Sequence, residues 1–389
     1  MGLLTRSSAD LDDLDGLTVI AELVANDGQL LAGTWCACPN SMTLRKAGSV
    51  SLGVFGGTGQ WSGSAEFRIG DGVHADWFTL RSQNRVRFYL LGTAGADQVR
   101  IPIGTLGVAD FSATEEQIVQ ATMVGIESLL SNSRIPALID LYPEADAGRW
   151  TAADAAYWLT SQADQNLLVN GDSTPRKLST QVEQPAFAQS FEQGWTWWSA
   201  VLTTVAMYGG QPMFDRFGQF TILYPLNRSL IASRFTFDDS TMTDVEPIED
   251  TFTPLGAVVS TDVAVAAEGD SSGSTWMARP GTVSPAFADS RDPEHSTWTA
   301  PTSAEFNLTG AIESELDMAL EALADLFDPP EYIRFTTSKA RLLDVGDVGW
   351  IRSDLRGIDS LFRIIEASWD YEAGGVNVTT SFKAQRVAE

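Results

Sequence analysis

Leu342-Leu343-Asp344-Val345-Gly346-Asp347-Val348-Gly349-Trp350-Ile351 is followed by Leu361-Phe362-Arg363-Ile364-Ile365-Glu366-Ala367-Ser368-Trp369, and then by Val376-Asn377-Val378-Thr379-Thr380-Ser381-Phe382. Gly346 permits a tight backbone turn, and Asp347 can accept hydrogen bonds from local amides there. Phe362, Ile364 and Trp369 fall among strong β-formers. Glu372-Ala373-Gly374-Gly375 reads as a hairpin turn, with glycine supplying positive φ. Val376 and Val378 alternate with Asn377 and Thr379, which predicts a strand buried on one face only. Such periodicity fixes strands and not function, so any antiparallel barrel or sandwich can end this way.

Working outward, residues 16–112 also read as β. Val86, Phe88 and Leu90 fall on one face of a strand, and Arg85, Arg87 and Tyr89 on the other. Ile101-Pro102-Ile103-Gly104-Thr105-Leu106-Gly107-Val108 follows a short connector, and Pro102 predicts an edge strand or a bulge. Residues 117–124 fit strand or helix by periodicity. Ser112 and Glu115 have capping-box spacing.

The middle third is mixed. Residues 151–163 predict a helix with Thr151 as its cap. Residues 194–208 predict another, with Trp198, Leu202 and Val205 on one face and Gly209-Gly210 as its stop. Trp197 must leave that face, so its exposure stays open, as does a sugar-stacking role for the Trp195–Trp198 cluster. Phe214-Asp215-Arg216-Phe217-Gly218 then predicts a hairpin turn. Residues 237–250 hold six acids and no base, and 251–300 are rich in Ser, Thr, Gly, Ala and Pro. Residues 310–327 carry an apolar stripe through Ile312, Leu316, Leu320, Leu323 and Phe327 that predicts a helix stopped by Pro329-Pro330.

The chain has 389 residues, enough for two to four domains. Its 51 carboxylates against 25 Lys and Arg give a formal charge of −26, which disfavours nucleic acid and anionic membranes as partners. There are two histidines and two cysteines, the latter as Cys36-Ala37-Cys38-Pro39. That is too few for a zinc site, and neither histidine sits in a triad frame, so no metal and no cofactor are expected. Gly56-Gly57-Thr58-Gly59 lacks the lysine of a phosphate loop. No apolar run reaches membrane-spanning length, and the acidic start lacks the pattern of a signal peptide. Paired carboxylates of a glycoside hydrolase stay open, because their separation in space cannot be read from sequence.

Three segments resemble tail hub (minor tail, tail-tip or baseplate hub) proteins of tailed phages, and they occur in that family's order across residues 84–389. The first is the alternating strand with the segment holding Pro102 and Gly104, where Leu106 stands at a common aromatic position. A Gly-x-Asp turn follows in the family, and here Gly125-Ile126-Glu127 matches it with Glu127 for the Asp; the resemblance tips 117–124 to a strand, with a short helix through Ser131. The second is the element Phe214-Asp215 to Gly218 after a helix. The third is Gly346-Asp347 with Phe362 and Ile364.

The resemblance implies an α+β, mostly β chain. Two barrel-like tail-tube halves, 1–111 and 330–389, would flank a mixed α/β insert at 112–236 and an irregular acidic, Ser/Gly-rich segment with a helix at 237–329. It implies a structural role at the virion tail tip, in a protein made in the host cytoplasm, with no enzymatic activity. The expected partners are two further copies in a homotrimer, the distal tail protein, the C-terminus of the tape-measure protein, and central fibre or tip proteins. No specific nucleic-acid partner and no membrane segment are expected. The rival readings are a six-fold distal tail protein and a cell-wall hydrolase or carbohydrate-binding protein.

Overall fold

The computed structural model describes residues 3–5, 15–25, 36–48, 59–68, 84–94, 97–113, 118–141, 152–163, 189–206, 211–223, 233–248, 257–263, 274–279, 282–285, 303–307, 331–337, 341–373 and 378–387. The first third runs β1 (Leu3–Thr5), β2 (Asp15–Ala25), β3 (Cys36–Ala37), β4 (Ser41–Gly48), β5 (Gly59–Arg68), β6 (Asn84–Ala94), β7 (Asp97–Ala113) and β8 (Ile118–Val124). The middle adds α1 (Glu127–Asn132), β9 (Ile139–Leu141), α2 (Ala152–Ala163), β10 (Gln189–Phe191), α3 (Trp197–Ala206), β11 (Gln211–Phe214), β12 (Phe220–Leu223), β13 (Phe235–Phe237) and β14 (Met242–Ile248). Then come β15 (Ala257–Val263), β16 (Ser274–Arg279), β17 (Thr282–Pro285), β18 (Ser303–Asn307), β19 (Tyr332–Thr337), β20 (Val348–Ser353), β21 (Ile358–Glu372) and β22 (Thr379–Arg386). The chain is mostly β.

Among the described residues, 16 strands form one sheet whose main path runs β14-β19-β22-β21-β4-β5-β8-β7-β6-β2-β3. The two ends of the chain meet where β21 pairs antiparallel with β4, from Glu366 opposite Ala47 to Glu372 opposite Ser41. The 15 residues of β21 reach three partners. Its first part pairs with β20, its middle with β22, and its last part with both β22 and β4. A register shift between Ile364 and Glu366 leaves Ile365 as the extra residue of a bulge, which turns the strand between these partners. Phe362, Ile364, Ala367 and Trp369 are buried along it, so the run of β-formers became a strand covered on its core face.

Pro102 lies within β7, which is central, between β6 and β8; the edge alternative does not hold. The pairing with β6 shifts between Phe88 and Tyr89, which face Gly104 and Pro102 and leave Ile103 as the bulged residue. A proline without an N–H is accommodated there. The face of β6 with Arg85 and Tyr89 is buried as well, since Arg100 of β7 lies over the Tyr89 ring and pairs with Glu22 of β2.

Residues 118–124 form a strand and α1 follows, while Ser112 lies inside β7 and caps nothing. Helices α1, α2 and α3, with the β9–β10 ribbon and the β11–β12 hairpin, enclose a second core around Leu159, Phe191, Trp198, Val201, Phe214 and Phe220. Thr196 caps α3: its Oγ1 accepts the Ser199 N–H at 3.1 Å. Trp197 and Trp198 are both buried, and Trp195 is 38% exposed beside Phe191.

The stretch expected to be irregular, 237–329, differs from that reading. After the end of β13 and a turn, Met242–Ile248 of this stretch forms β14, which pairs with β19 at one end of the main sheet. Strands β15 to β18 form a separate four-stranded sheet in the order β17-β16-β15-β18. Val258-Val259 and Trp276-Met277 supply β-formers that the surrounding small residues hide from a composition reading. The helix expected at 310–327, the cap Thr151 and the turn at Gly374-Gly375 lie outside the described residues. No described helix is long and apolar enough to cross a membrane.

Candidate functional site: a buried joint where the motifs meet

The turn at Gly346-Asp347 is built by its own side chains. Gly346 has φ +96°, a region open to glycine at little cost. Asp347 Oδ2 accepts the Asp344 N–H at 2.8 Å, and Asp344 Oδ1 accepts the Val345 N–H at 2.8 Å. Gly346 N–H donates to Ile364 O, and Ile364 N–H donates to Asp347 O, both at 2.8 Å. Asp347 thus stitches the turn to the strand that carries Phe362 and Ile364. Burial pushes the Asp347 carboxyl above its ordinary range, the Asp344 charge adds to this, and Arg234, which donates to Oδ1 at 2.8 Å, opposes it.

Asp215 does the same work in the β11–β12 turn. Its Oδ1 accepts the N–H groups of Phe217 and Gln219, each at 2.9 Å. Gly218 has φ +77°, and a β-carbon there would meet Ile126 at 3.0 Å and Thr105 at 3.2 Å. The turn sits on β7 and β6: Thr105 Oγ1 donates to Arg216 O at 2.9 Å, and Arg87 Nη2 donates to Phe217 O at 2.9 Å. Gly218→Ala is expected to cost about 1–2 kcal/mol through strain at positive φ, measured by chemical denaturation.

Trp61 of β5 links these pieces. Its indole N–H donates to Phe214 O at 2.8 Å. Its ring lies where a side chain at Gly104 would be, 3.0 Å from that missing β-carbon, and stacks on Trp369 of β21 with centroids 5.7 Å apart. Its backbone N–H donates to Glu127 Oε1 at 2.6 Å, and its carbonyl accepts the Gly125 N–H at 2.8 Å. The Glu127 carboxyl fills the space beside Gly125, where any β-carbon would lie 1.8 Å from Oε1.

Lys46 of β4 is the buried cation of this joint. Its side chain is 0% exposed, its Nζ lies 2.6 Å from Asp344 Oδ1, and it sits 5.1 Å from the centre of the Trp61 ring. Burial raises the Glu127 pKa to about 7, against the Glu127 and Trp61 N–H groups and the Lys46 charge. Burial also raises Asp215, against the Gln219 N–H and Lys46. Lys46 therefore pairs directly with Asp344 on the turn before β20, and its charge also favours the ionised forms of Glu127 on α1 and Asp215 in the β11–β12 turn.

Of the eight motif residues read from the sequence, Gly104 lies against Trp61, Asp215 and Gly218 form the seated turn, Gly346, Asp347 and Ile364 form the C-terminal stitch, Phe362 is buried two residues before Ile364 on β21, and Pro102 lies at the β6–β7 bulge two residues before Gly104. Lys46, Trp61 and Asp344 are the residues that sequence reasoning missed. A signal existed for Lys46: Met42, Leu44 and Lys46 alternate in phase, and the first two are buried. A joint of this kind holds elements together. Among the described residues no group of three or more His, Cys, Asp or Glu side chains could hold a metal ion, and Cys38 is exposed as a free thiol.

No protein-family model matches the chain, and no curated protein matches it by sequence. Solved structures do match along nearly all of its length. A tail protein from Neisseria meningitidis superposes with a TM-score of 0.60 at 14% identity, covering 95% of this chain and 97% of that one. The 43 kDa tail protein of a Shewanella oneidensis prophage gives 0.52 at 9% identity, covering 94% and 98%. A prophage tail protein from Listeria monocytogenes gives 0.50 at 9% identity, covering 95% and 94%. The chain has the fold of these tail proteins.

Proposed function

We propose that the chain is a structural protein of a phage tail, and within the tail the hub that joins the tail tube to the distal tip or fibre. The observation that carries this reading is the continuous sheet formed by the two ends of the chain through β4 and β21, on a fold shared end to end with tail proteins. In this reading β2 to β8 and β19 to β22 are two tube-like halves set side by side, and the helical insert projects from them. Three copies, each giving two halves, form a pseudo-six-fold ring that adapts a six-fold tube to a three-fold tip. Contacts between copies cover strand edges that would otherwise be open to aggregation.

The partners are then two further copies, the distal tail protein above, the tape-measure C-terminus within, and central fibre or tip proteins below. The formal charge of −26 suits a ring wall past which DNA slides without the counterion release that holds it to basic surfaces. The reading assigns the chain no turnover and places it at the virion tail tip.

Symmetry tests it. The purified chain, alone or with its neighbouring tail proteins, is expected to give a three-fold ring by native mass spectrometry and electron-microscopic class averages. A six-fold ring of this chain would point instead to a distal tail protein. Saturable hydrolysis of peptidoglycan by the pure chain, lost on changing one carboxylate pair, would replace the structural reading with an enzymatic one.

A further inference from the structure

The joint holds more charge than a static support needs. Lys46 is fully buried and bonded to Asp344 on the turn before β20. Glu127 of α1, 1% exposed, and Lys46 both lie against Trp61: Glu127 Oε1 accepts the Trp61 N–H, Lys46 Nζ sits 5.1 Å from the Trp61 ring centre, and Glu127 Oε2 is buried without a hydrogen-bond partner. Asp215 of the β11–β12 turn is also near enough for the Lys46 charge to act on it. Among the described residues, Asp347 and Arg234 also face the cluster and pair with each other. Helix α3, packed on α1, has no titratable residue.

We propose that this cluster is a proton-gated latch between the helical insert and the sheet. With Glu127 protonated, Lys46 is committed to Asp344, and α1 stays seated on β5 through the Trp61 N–H. With Glu127 ionised, a second buried anion competes for Lys46, and both the seat of α1 and the Asp344 turn loosen. The proton goes to and comes from solvent, and no other group changes its covalent state.

The chemistry favours this gate at Glu127. An anion with one oxygen unpaired and buried is costly, whereas the neutral carboxyl is not. The balance lies near neutrality, since burial places the Glu127 pKa at about 7. The sign follows from linkage. The seated state binds a proton more tightly than the open, hydrated state, whose carboxyl titrates near its ordinary value. Rising pH between those two values therefore favours opening, and falling pH favours closure. The proposal stands apart from the tail reading, so its failure leaves that reading untouched.

The experiment is hydrogen–deuterium exchange of the full chain and of Glu127→Gln, at about pH 6 and about pH 8, corrected for the intrinsic exchange rate. In the wild type, opening at residues 125–132 is expected to rise about tenfold over that interval, with a parallel rise at 344–347. Glu127→Gln should show neither change. Equal pH dependence in the two proteins, or a change confined to 125–132, overturns the latch. If Glu127→Gln does not fold, infrared spectra of the wild type decide. A buried protonated-carboxyl band present at about pH 6 and gone by about pH 8 supports the proposal, and its absence at the lower pH ends it.

Discussion

Trp369→Ala is expected to cost about 3–5 kcal/mol of folding stability, measured by urea denaturation with circular dichroism as the probe. Trp369 is 2% exposed on the core face of β21, opposite Leu44 of β4. Its ring stacks on Trp61, and its indole N–H donates to Arg341 O at 3.1 Å. A buried indole removes on the order of 200 Å² from water, roughly 5 kcal/mol at the usual area coefficient. Alanine would lose most of that and leave a cavity between the two β-rich ends of the chain. Trp195→Ala is the control: at 38% exposure it should cost no more than about 1 kcal/mol. Equal losses in the two variants would show that the β4–β21 seam is not where the sheet's stability resides.

The contrast between these tryptophans shows what the sequence could and could not say. Strand positions were legible because β-formers alternate with polar residues, as in β6 and β22, and because glycine and aspartate mark the turns at Gly218 and Gly346. The burial of Trp198 was legible from its helical face. Trp197 was not, because it leaves that face and is covered instead by other parts of the insert. Strand order was also hidden. Nothing local tells β21 to pair with β4, more than three hundred residues earlier.

The site was half legible for the same reason. The turn-forming residues of each motif announce themselves, since their chemistry is local. Lys46 and Trp61 matter through contacts between distant strands, and each looks ordinary within its own segment. Glu127 stood out only as a departure from the Gly-x-Asp pattern of tail hubs, and its carboxylate accepts the Trp61 N–H. The acidic run at 237–250 misled in the opposite direction. Asp238 caps its own turn through bonds from Ser240 and Thr241, and Asp239 accepts from Ser353 and the Leu355 N–H, so these two acids order the turn that leads into β14.

Lys46→Met is the second large expected effect, a loss of about 2–4 kcal/mol near neutral pH. Removing one partner of a buried ion pair leaves the other charges uncompensated, which costs more than the pair contributes when intact. Asp344 keeps some exposure, with 31% of its side chain accessible, so the figure falls below that of a fully enclosed pair. Glu127 and Asp215 lose the cation that favours their ionised forms, so only their backbone N–H donors would still oppose burial and both pKa values would rise further. The sign then follows. The folded variant binds protons more tightly than the wild type, so its stability falls more steeply as pH rises from ordinary carboxylate values toward neutrality and beyond. The deficit relative to wild type should therefore shrink on acidification to about pH 5. Adding Glu127→Gln to Lys46→Met should recover part of the loss, because the two side chains share one cluster. Arg45→Met, one residue away on the opposite face of β4, removes an exposed pair with Glu366 and should stay within about 1 kcal/mol. A Lys46→Met deficit that is the same at both pH values, with no recovery in the double variant, would mean that Lys46 acts by filling space and not by its charge.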